Sequence, residues 1–217
     1  MLRSAYANGD VAETDDAALV ERAGGRVRER IRGPMLWTHF GISGPAALDL
    51  SRHWLRAQLE GAEPGVQASL LPGVTYESAE AFWTTTARQQ PRARIQAVLA
   101  TLVPASLASA LMAHVGLDPE RPLADLTRDG RRALVRATTA LPLPIVDSRG
   151  YNYAEATAGG VALDEIDPGS MESRRCPGLF LVGEMLDVDG RLGGFNFQWA
   201  WASGRTAAEG LAQRMPS

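Results

Sequence analysis

A block of helix-forming sequence set between two strand-like regions restricts the fold more than any other feature of the chain. From Tyr76 to Ala140 the sequence is rich in Ala, Leu and Arg, and Pro91, Pro104, Pro119 and Pro122 divide it into pieces of ordinary helix length. Within RIQAVLATLVPASLASALMAHV, Ile95, Val98, Leu99 and Leu102 share one helical face, and Leu107, Leu111, Met112 and Val115 continue it beyond Pro104. This block is expected to be a small helical subdomain that packs its own core. Its Met and aromatic residues are read as packing residues rather than cofactor contacts.

The flanking regions carry a different signal. Residues 1–17 are small, polar and acidic without apolar period, and are expected to be frayed or peripheral. ALVERAGGRVRERIRGPMLWTHFG reads as strand material, with a turn at Gly24-Gly25, a break at Gly33-Pro34 and a short apolar run from Met35 to Phe40. ISGPAALDLSRHWLRA reads as a helix with Ser43 as its N-cap and Pro45 in the first turn. Val66 to Leu71 is strand-like and ends at Pro72-Gly73. After residue 140 short strand runs return, then the apolar strand GLFLVGE over 178–184, then a helix from about Phe195 to Arg214. The implied class is α+β, or mixed: a β-rich, barrel-like region over 1–75 and 141–177, a helical insertion over 76–140, and a terminal β-α unit over 178–217.

Composition narrows the function classes. The 22 basic residues, all of them Arg, against 25 acidic ones leave a net charge of −3, which supplies no basic blanket for nucleic acid. The absence of Lys is read as coding bias, although Arg holds planar anions in a way Lys does not. With 45% hydrophobic and 22% charged residues the chain is expected to fold rather than remain disordered. The single Cys176 excludes an internal disulfide framework, and no Cys/His spacing suits a zinc site. No run approaches a bilayer span, and Asp10, Glu13, Asp15 and Asp16 stand where a signal peptide would be apolar. A cytoplasmic protein with neither nucleic-acid nor membrane partners is the expectation.

The segment with chemical content is GLFLVGEMLDVDGRLGGFNFQWAWASGR, residues 178–205. Leu179 to Val182 is apolar and β-favouring, and Glu184 follows just beyond its carboxyl end, the edge where open α/β sheets bind ligands. A carboxylate there accepts hydrogen bonds from ribityl or sugar hydroxyls. Gly193 and Gly194 then allow close backbone approach and lead into a helix. The N–H groups and positive dipole end of that helix suit an electron-rich carbonyl or a developing anion. Asn196 and Gln198 add side-chain amides in its first turn. An alternative with about equal weight is a purely structural strand-turn-helix with a surface Glu and a flexible Gly pair.

The chain resembles the C-terminal end of the aminoacetone-oxidase-like flavoproteins, a family of NAD(P)/FAD-dependent oxidoreductases that also includes bile-acid double-bond reductases. LWTHFGISGPAALDLS (36–51), AEATAGGVALDEIDPGSMES (154–173) and GLFLVGEMLDVDGRLGGFNFQWAWASG (178–204) are similar to that family's signatures and occur in its order. The helical block sits where the family inserts a helical domain, so the resemblance extends over roughly residues 25–213. It implies that Glu184 contacts the FAD ribityl or phosphate region. Gly193, Gly194, Phe195 and Asn196 would form the flavin-facing helix start. Thr157, Ala158, Gly159, Gly160 and Val161 would be a loop near the isoalloxazine ring. His39, within THFG, is a candidate for substrate binding or proton transfer, set against a structural histidine bonded to backbone.

The resemblance also marks a departure. Such flavoproteins open with a strand, a G-x-G-x-x-G turn and a helix for the ADP half of FAD, and no G-x-G-x-x-G occurs here. The chain is therefore expected to be the C-terminal, substrate- and flavin-capping portion of an FAD-dependent oxidoreductase, whose α/β domain lacks its N-terminal part. It would be inactive or bind FAD weakly alone, with NAD(P)H as a possible electron donor and a small molecule as substrate. Phe180, Val182, Phe197 and Trp201 would be exposed or covered by that other half or another chain. Two alternatives stand beside it: a non-catalytic interaction module, and a relative of the succinate/fumarate-reductase flavoproteins.

Overall fold

The computed structural model describes residues 2–4 and 12–214, and it divides into two compact units, 1–150 and 151–217. The first is built on one sheet. Strands β1 (Leu2–Ser4), β2 (Ala12–Ala23), β3 (Arg26–Thr38), β4 (Gly41–Ser43), β5 (Gly65–Ser69), β6 (Leu141–Leu143) and β7 (Ile145–Ser148) pair in the order β6-β5-β2-β3-β4-β1-β7. Every pairing is antiparallel. No pairing joins β6 to β7 among the described residues, so the ladder has two open edges where a barrel was expected.

The β2–β3 hairpin forms where the glycines demand it. Ala23 pairs with Arg26, and Gly24 and Gly25 have φ of 57° and 77°, the two positive values a tight hairpin turn needs. Gly33-Pro34, expected to break the chain, lies inside β3. The register slips between Thr14↔Met35 and Ala17↔Gly33, and that bulge leaves Pro34 at a place where no ladder N–H is required. Part of the acidic N-terminal stretch, expected to be frayed or peripheral, is paired as strand: Ala12, Glu13 and Thr14 pair with Trp37, Leu36 and Met35. Residues 5–11 lie outside the described set.

Helix α1 (Pro45–Leu59) lies against β2, β3 and β4. Its N-cap is Gly44, not Ser43, which ends β4. A Cβ at Gly44 would stand 3.1 Å from the Leu36 nitrogen and 3.2 Å from the Pro34 oxygen, so the GISGP sequence lets the helix start close against β3. Helices α2 (Tyr76–Gln89), α3 (Ile95–Leu99), α4 (Ala105–His114) and α5 (Arg128–Thr139) make up the Pro-divided block. They share one apolar core with the sheet instead of enclosing a separate one. Trp83, Leu99, Leu111 and Leu134 belong to the same buried cluster as Leu19, Ile42, Leu50 and Trp54. The reason is that β5 packs against α5, and just beyond its end the Leu70 amide donates to the Thr138 carbonyl at 2.8 Å.

The second unit has little regular structure before its helix. GLFLVGE does not form a strand. Phe180 makes one isolated bridge to Glu172, Val161 makes another to Leu186, and Leu181 and Val182 are in no ladder. A parallel strand needs a neighbour to take up its backbone groups, and the described residues provide none here. Helix α6 (Phe195–Ala212) follows. The apolar core of this unit is small, with Ile166, Met171, Leu186 and Ala207 buried and Phe180, Val182 and Trp199 partly covered. Glu172 adds a polar fastening: its Oε1 accepts from the Gly178 amide and from Arg214 Nη1, both at 2.7 Å, and its Oε2 is paired with Arg214 Nη2. The Gly178 N–H, then the Arg214 guanidinium, hold its carboxyl below the usual carboxylate range.

Candidate functional site

Eleven residues carry the sequence-derived site, and ten of them, 157–161, 184 and 193–196, lie in the second unit. The loop 157–161 and the turn 183–187 are adjacent. The Thr157 amide donates to Glu184 Oε1 at 2.7 Å, the Val161 amide to the Met185 carbonyl at 2.9 Å, and the Asp187 amide to the Val161 carbonyl at 2.9 Å. Gly160 is glycine because of this contact. A Cβ there would stand 2.7 Å from the Leu186 carbonyl carbon and from the Met185 oxygen. Gly159, at φ 96°, has nothing within 4 Å of the same position and is open. Glu184 itself is exposed, and its Oε2 has no partner among the described residues.

The turn carrying Glu184 is locked to α6 by two residues that periodicity did not single out. The Gly183 amide donates to Ser203 Oγ at 3.0 Å, and Trp199 Nε1 donates to the Gly183 carbonyl at 3.1 Å. Ser203 Oγ also donates to the Trp199 carbonyl at 2.7 Å. Their spacing, four residues apart on one helix face, was the available signal.

The start of α6 is bare. Gly193 and Gly194 have φ of 119° and 87°, Gly194 caps the helix with no side-chain hydrogen bond, and the first turn holds no acid. The first hydrogen bond of the helix runs from Gln198 to Gly194, so the amides of Phe195, Asn196 and Phe197 have no partner among the described residues. Asn196 is engaged elsewhere: its Oδ1 accepts from the Gly190 amide at 2.6 Å and its Nδ2 donates to the Gly190 carbonyl at 3.3 Å. Its amide therefore fastens the 190–194 loop to the helix. Arg191 lies over the Phe195 ring, 4.5 Å from its centroid.

Apolar side chains of α6 remain uncovered, as expected for two of the four named: Phe197 is 76% and Trp201 78% exposed, whereas Phe180 and Val182 are partly buried. His39 belongs to the first unit. It sits exposed in the β3–β4 turn with its ring edge-on to Phe40 at 4.9 Å. It makes no hydrogen bond to backbone among the described residues. Two clefts, of about 360 and 350 Å3, also lie in the first unit, and none of the eleven residues lines either.

Residues 15–210 match the family described as HI0933-like protein Rossmann domain. The chain belongs to that family. Within this HI0933-like chain the described sheet is antiparallel throughout, and no parallel β-α-β ladder is present among the described residues. A 3-dehydro-bile acid delta(4,6)-reductase of Clostridium scindens is 34% identical over 92% of this chain and 49% of its own length. Ribosomal RNA dihydrouridine synthases of Escherichia coli and Haemophilus influenzae are 36% and 32% identical, each over 83% of this chain and 42% of its own length. The HI0933-like chain thus spans about half the length of the curated relatives it matches. No helix among the described residues is long and apolar enough to cross a membrane.

Proposed function

We propose that this chain is the substrate- and flavin-capping portion of an FAD-dependent oxidoreductase, completed by a dinucleotide-binding half. The observation that carries this reading is the bare start of α6. Three amides without a partner among the described residues follow two glycines with positive φ, on a helix tied to the turn that presents Glu184. That donor set fits the electron-rich pyrimidine edge of an isoalloxazine, which gains negative charge on reduction. The openness at Gly159 and Gly194, where an added Cβ would meet nothing, permits close approach of a planar ring.

When bound, FAD supplies two-electron transfer between a nicotinamide donor and a substrate. The residues of this chain have separate tasks. The amides of Phe195, Asn196 and Phe197 hold negative charge, and the Asn196 side chain keeps the loop before them in place through Gly190. Glu184 orders the 157–161 loop through Thr157 and keeps Oε2 for a ribityl hydroxyl. His39, exposed in the first unit, is the candidate for proton transfer that the family resemblance offers. The relatives are named as a 3-dehydro-bile acid delta(4,6)-reductase and as ribosomal RNA dihydrouridine synthases. On that ground the substrate here is a ring bearing a carbon–carbon double bond. Phe197 and Trp201 form the surface that the dinucleotide-binding half covers.

The test is co-production of this chain with the part of a curated relative that it does not match, followed by reading flavin absorbance in the purified complex. A yellow complex, colourless when the chain carries Glu184→Ala or Gly194→Val, is the expected result. A complex that forms without flavin, or one whose flavin content neither variant changes, overturns the reading.

A further inference from the structure

We propose that the cleft in the first unit beside Arg22 and Arg30 binds a compact apolar molecule carrying one anionic group, a carboxylate or a phosphate. This site is independent of the flavin reading. Along β2 the side chains alternate: Leu19 and Glu21 take one face of the sheet, and Ala18, Val20 and Arg22 take the other. Val20 pairs with Arg30 on β3 and with Gln67 on β5, so both flank it at the floor of a cleft of about 350 Å3. Ala18 and Val20 make an apolar floor, and the turn at Pro72 to Val74 makes an apolar wall; Ala68, paired with Leu19, sends its side chain to the opposite face and borders the cleft through its main chain.

The charge inside this cleft is one-sided. Arg28 and Arg32, on either side of Arg30 along β3, have carboxylate partners in Glu60 at 3.1 Å and Asp16. Arg30 has none among the described residues. Arg22 is held by a neutral group, with Nε donating to Gln67 Oε1 at 3.0 Å, which orients the guanidinium and leaves both its terminal nitrogens. Among the described residues no Asp or Glu lines the cleft, and its other polar side chains are the Ser69, Thr75 and Thr139 hydroxyls. Two guanidiniums over an apolar floor, with no anion of the protein's own, suit an anion attached to an apolar body.

The test is calorimetric titration of the full chain with 2-naphthoate, 2-naphthyl phosphate, the uncharged 2-naphthylmethanol and inorganic phosphate. At least one of the two naphthyl anions is expected to bind about tenfold or more tightly than either the alcohol or inorganic phosphate, and the tighter of the two identifies the anion as carboxylate or phosphate. Arg30→Gln, at an exposed position, is expected to weaken that binding about tenfold without moving the melting temperature, and Arg22→Gln to weaken it similarly. Equal binding of the alcohol, unchanged binding in Arg30→Gln, or no binding of either naphthyl anion overturns the proposal. So does a single-stranded oligouridylate that displaces the naphthyl anion and binds more tightly, since the occupant would then be a nucleic-acid backbone.

Discussion

The main-chain amide of Thr157 and the carboxylate of Glu184, 27 residues apart, are joined by a 2.7 Å hydrogen bond. An ionised acceptor makes this bond stronger than one to a neutral group. Glu184→Ala removes the acceptor and is expected to speed deuterium exchange at the Thr157 amide by about tenfold, the equivalent of roughly 1.4 kcal/mol. Glu184→Gln keeps an acceptor oxygen and should retain most of the protection. An exchange rate indifferent to the Ala variant would show that this bond does not order the loop.

Gly160 and Gly159, adjacent in sequence, are expected to respond differently to substitution. At Gly160 an added methyl meets main-chain atoms of Met185 and Leu186 at 2.7 Å, and main chain does not swing aside as a side-chain tip does. Gly160→Ala is expected to destabilise residues 151–217 by about 1–3 kcal/mol. At Gly159 only the positive φ opposes a side chain, so Gly159→Ala should cost about 1–2 kcal/mol. Urea titrations followed by Trp199 emission will rank the two, and the reverse order would contradict the packing described.

Acid should weaken the second unit through Glu172. Its carboxyl is held below the ordinary range by the Gly178 N–H and by Arg214, so the native state favours the ionised form. The contribution is complete above the ordinary carboxylate pKa and disappears as pH falls through the lowered native value. Glu172→Gln is therefore expected to lower the stability of residues 151–217 at pH 7 and to flatten its decline below about pH 4. An unchanged acid slope in the variant would remove Glu172 as its cause.

Glu21 should act in the opposite sense on the first unit. It is 0% exposed and neither carboxylate oxygen has a hydrogen-bond partner among the described residues. Burial raises its pKa, Glu29 raises it further, and Arg28 and His53 offset part of that rise. Here the native state favours the protonated form, so stability is greatest below the ordinary carboxylate pKa and is lost as pH rises through the elevated native value. Glu21→Leu is expected to stabilise residues 1–150 by about 1–3 kcal/mol at pH 7, with the gain shrinking toward pH 4. Thermal melts at the two pH values check it, and a gain independent of pH would point to packing alone.

Elements with their own local signal were legible in the sequence. The Gly24-Gly25 hairpin, α1 behind Pro45, the Pro-divided helices and the long last helix all follow from turn chemistry and 3.6-residue spacing. States set by a partner were not. Ala12 to Thr14 is strand because Met35, Leu36 and Trp37 lie opposite, and Pro34 is tolerated there only because the register slips. Leu179 to Val182 has every mark of a buried strand, yet strand formation needs a neighbouring ladder. Within the candidate site, the juxtaposition of 157–161 with 183–187 was not legible from spacing, nor was the use of Asn196 on Gly190, because both are decided by loop closure.

The unpartnered first turn of α6 has a practical consequence. The nitrogen-15 resonances of Phe195, Asn196 and Phe197 should move when a negatively charged group docks against them. The protein thus carries an intrinsic gauge of occupancy at that position, legible residue by residue without dye or chromophore.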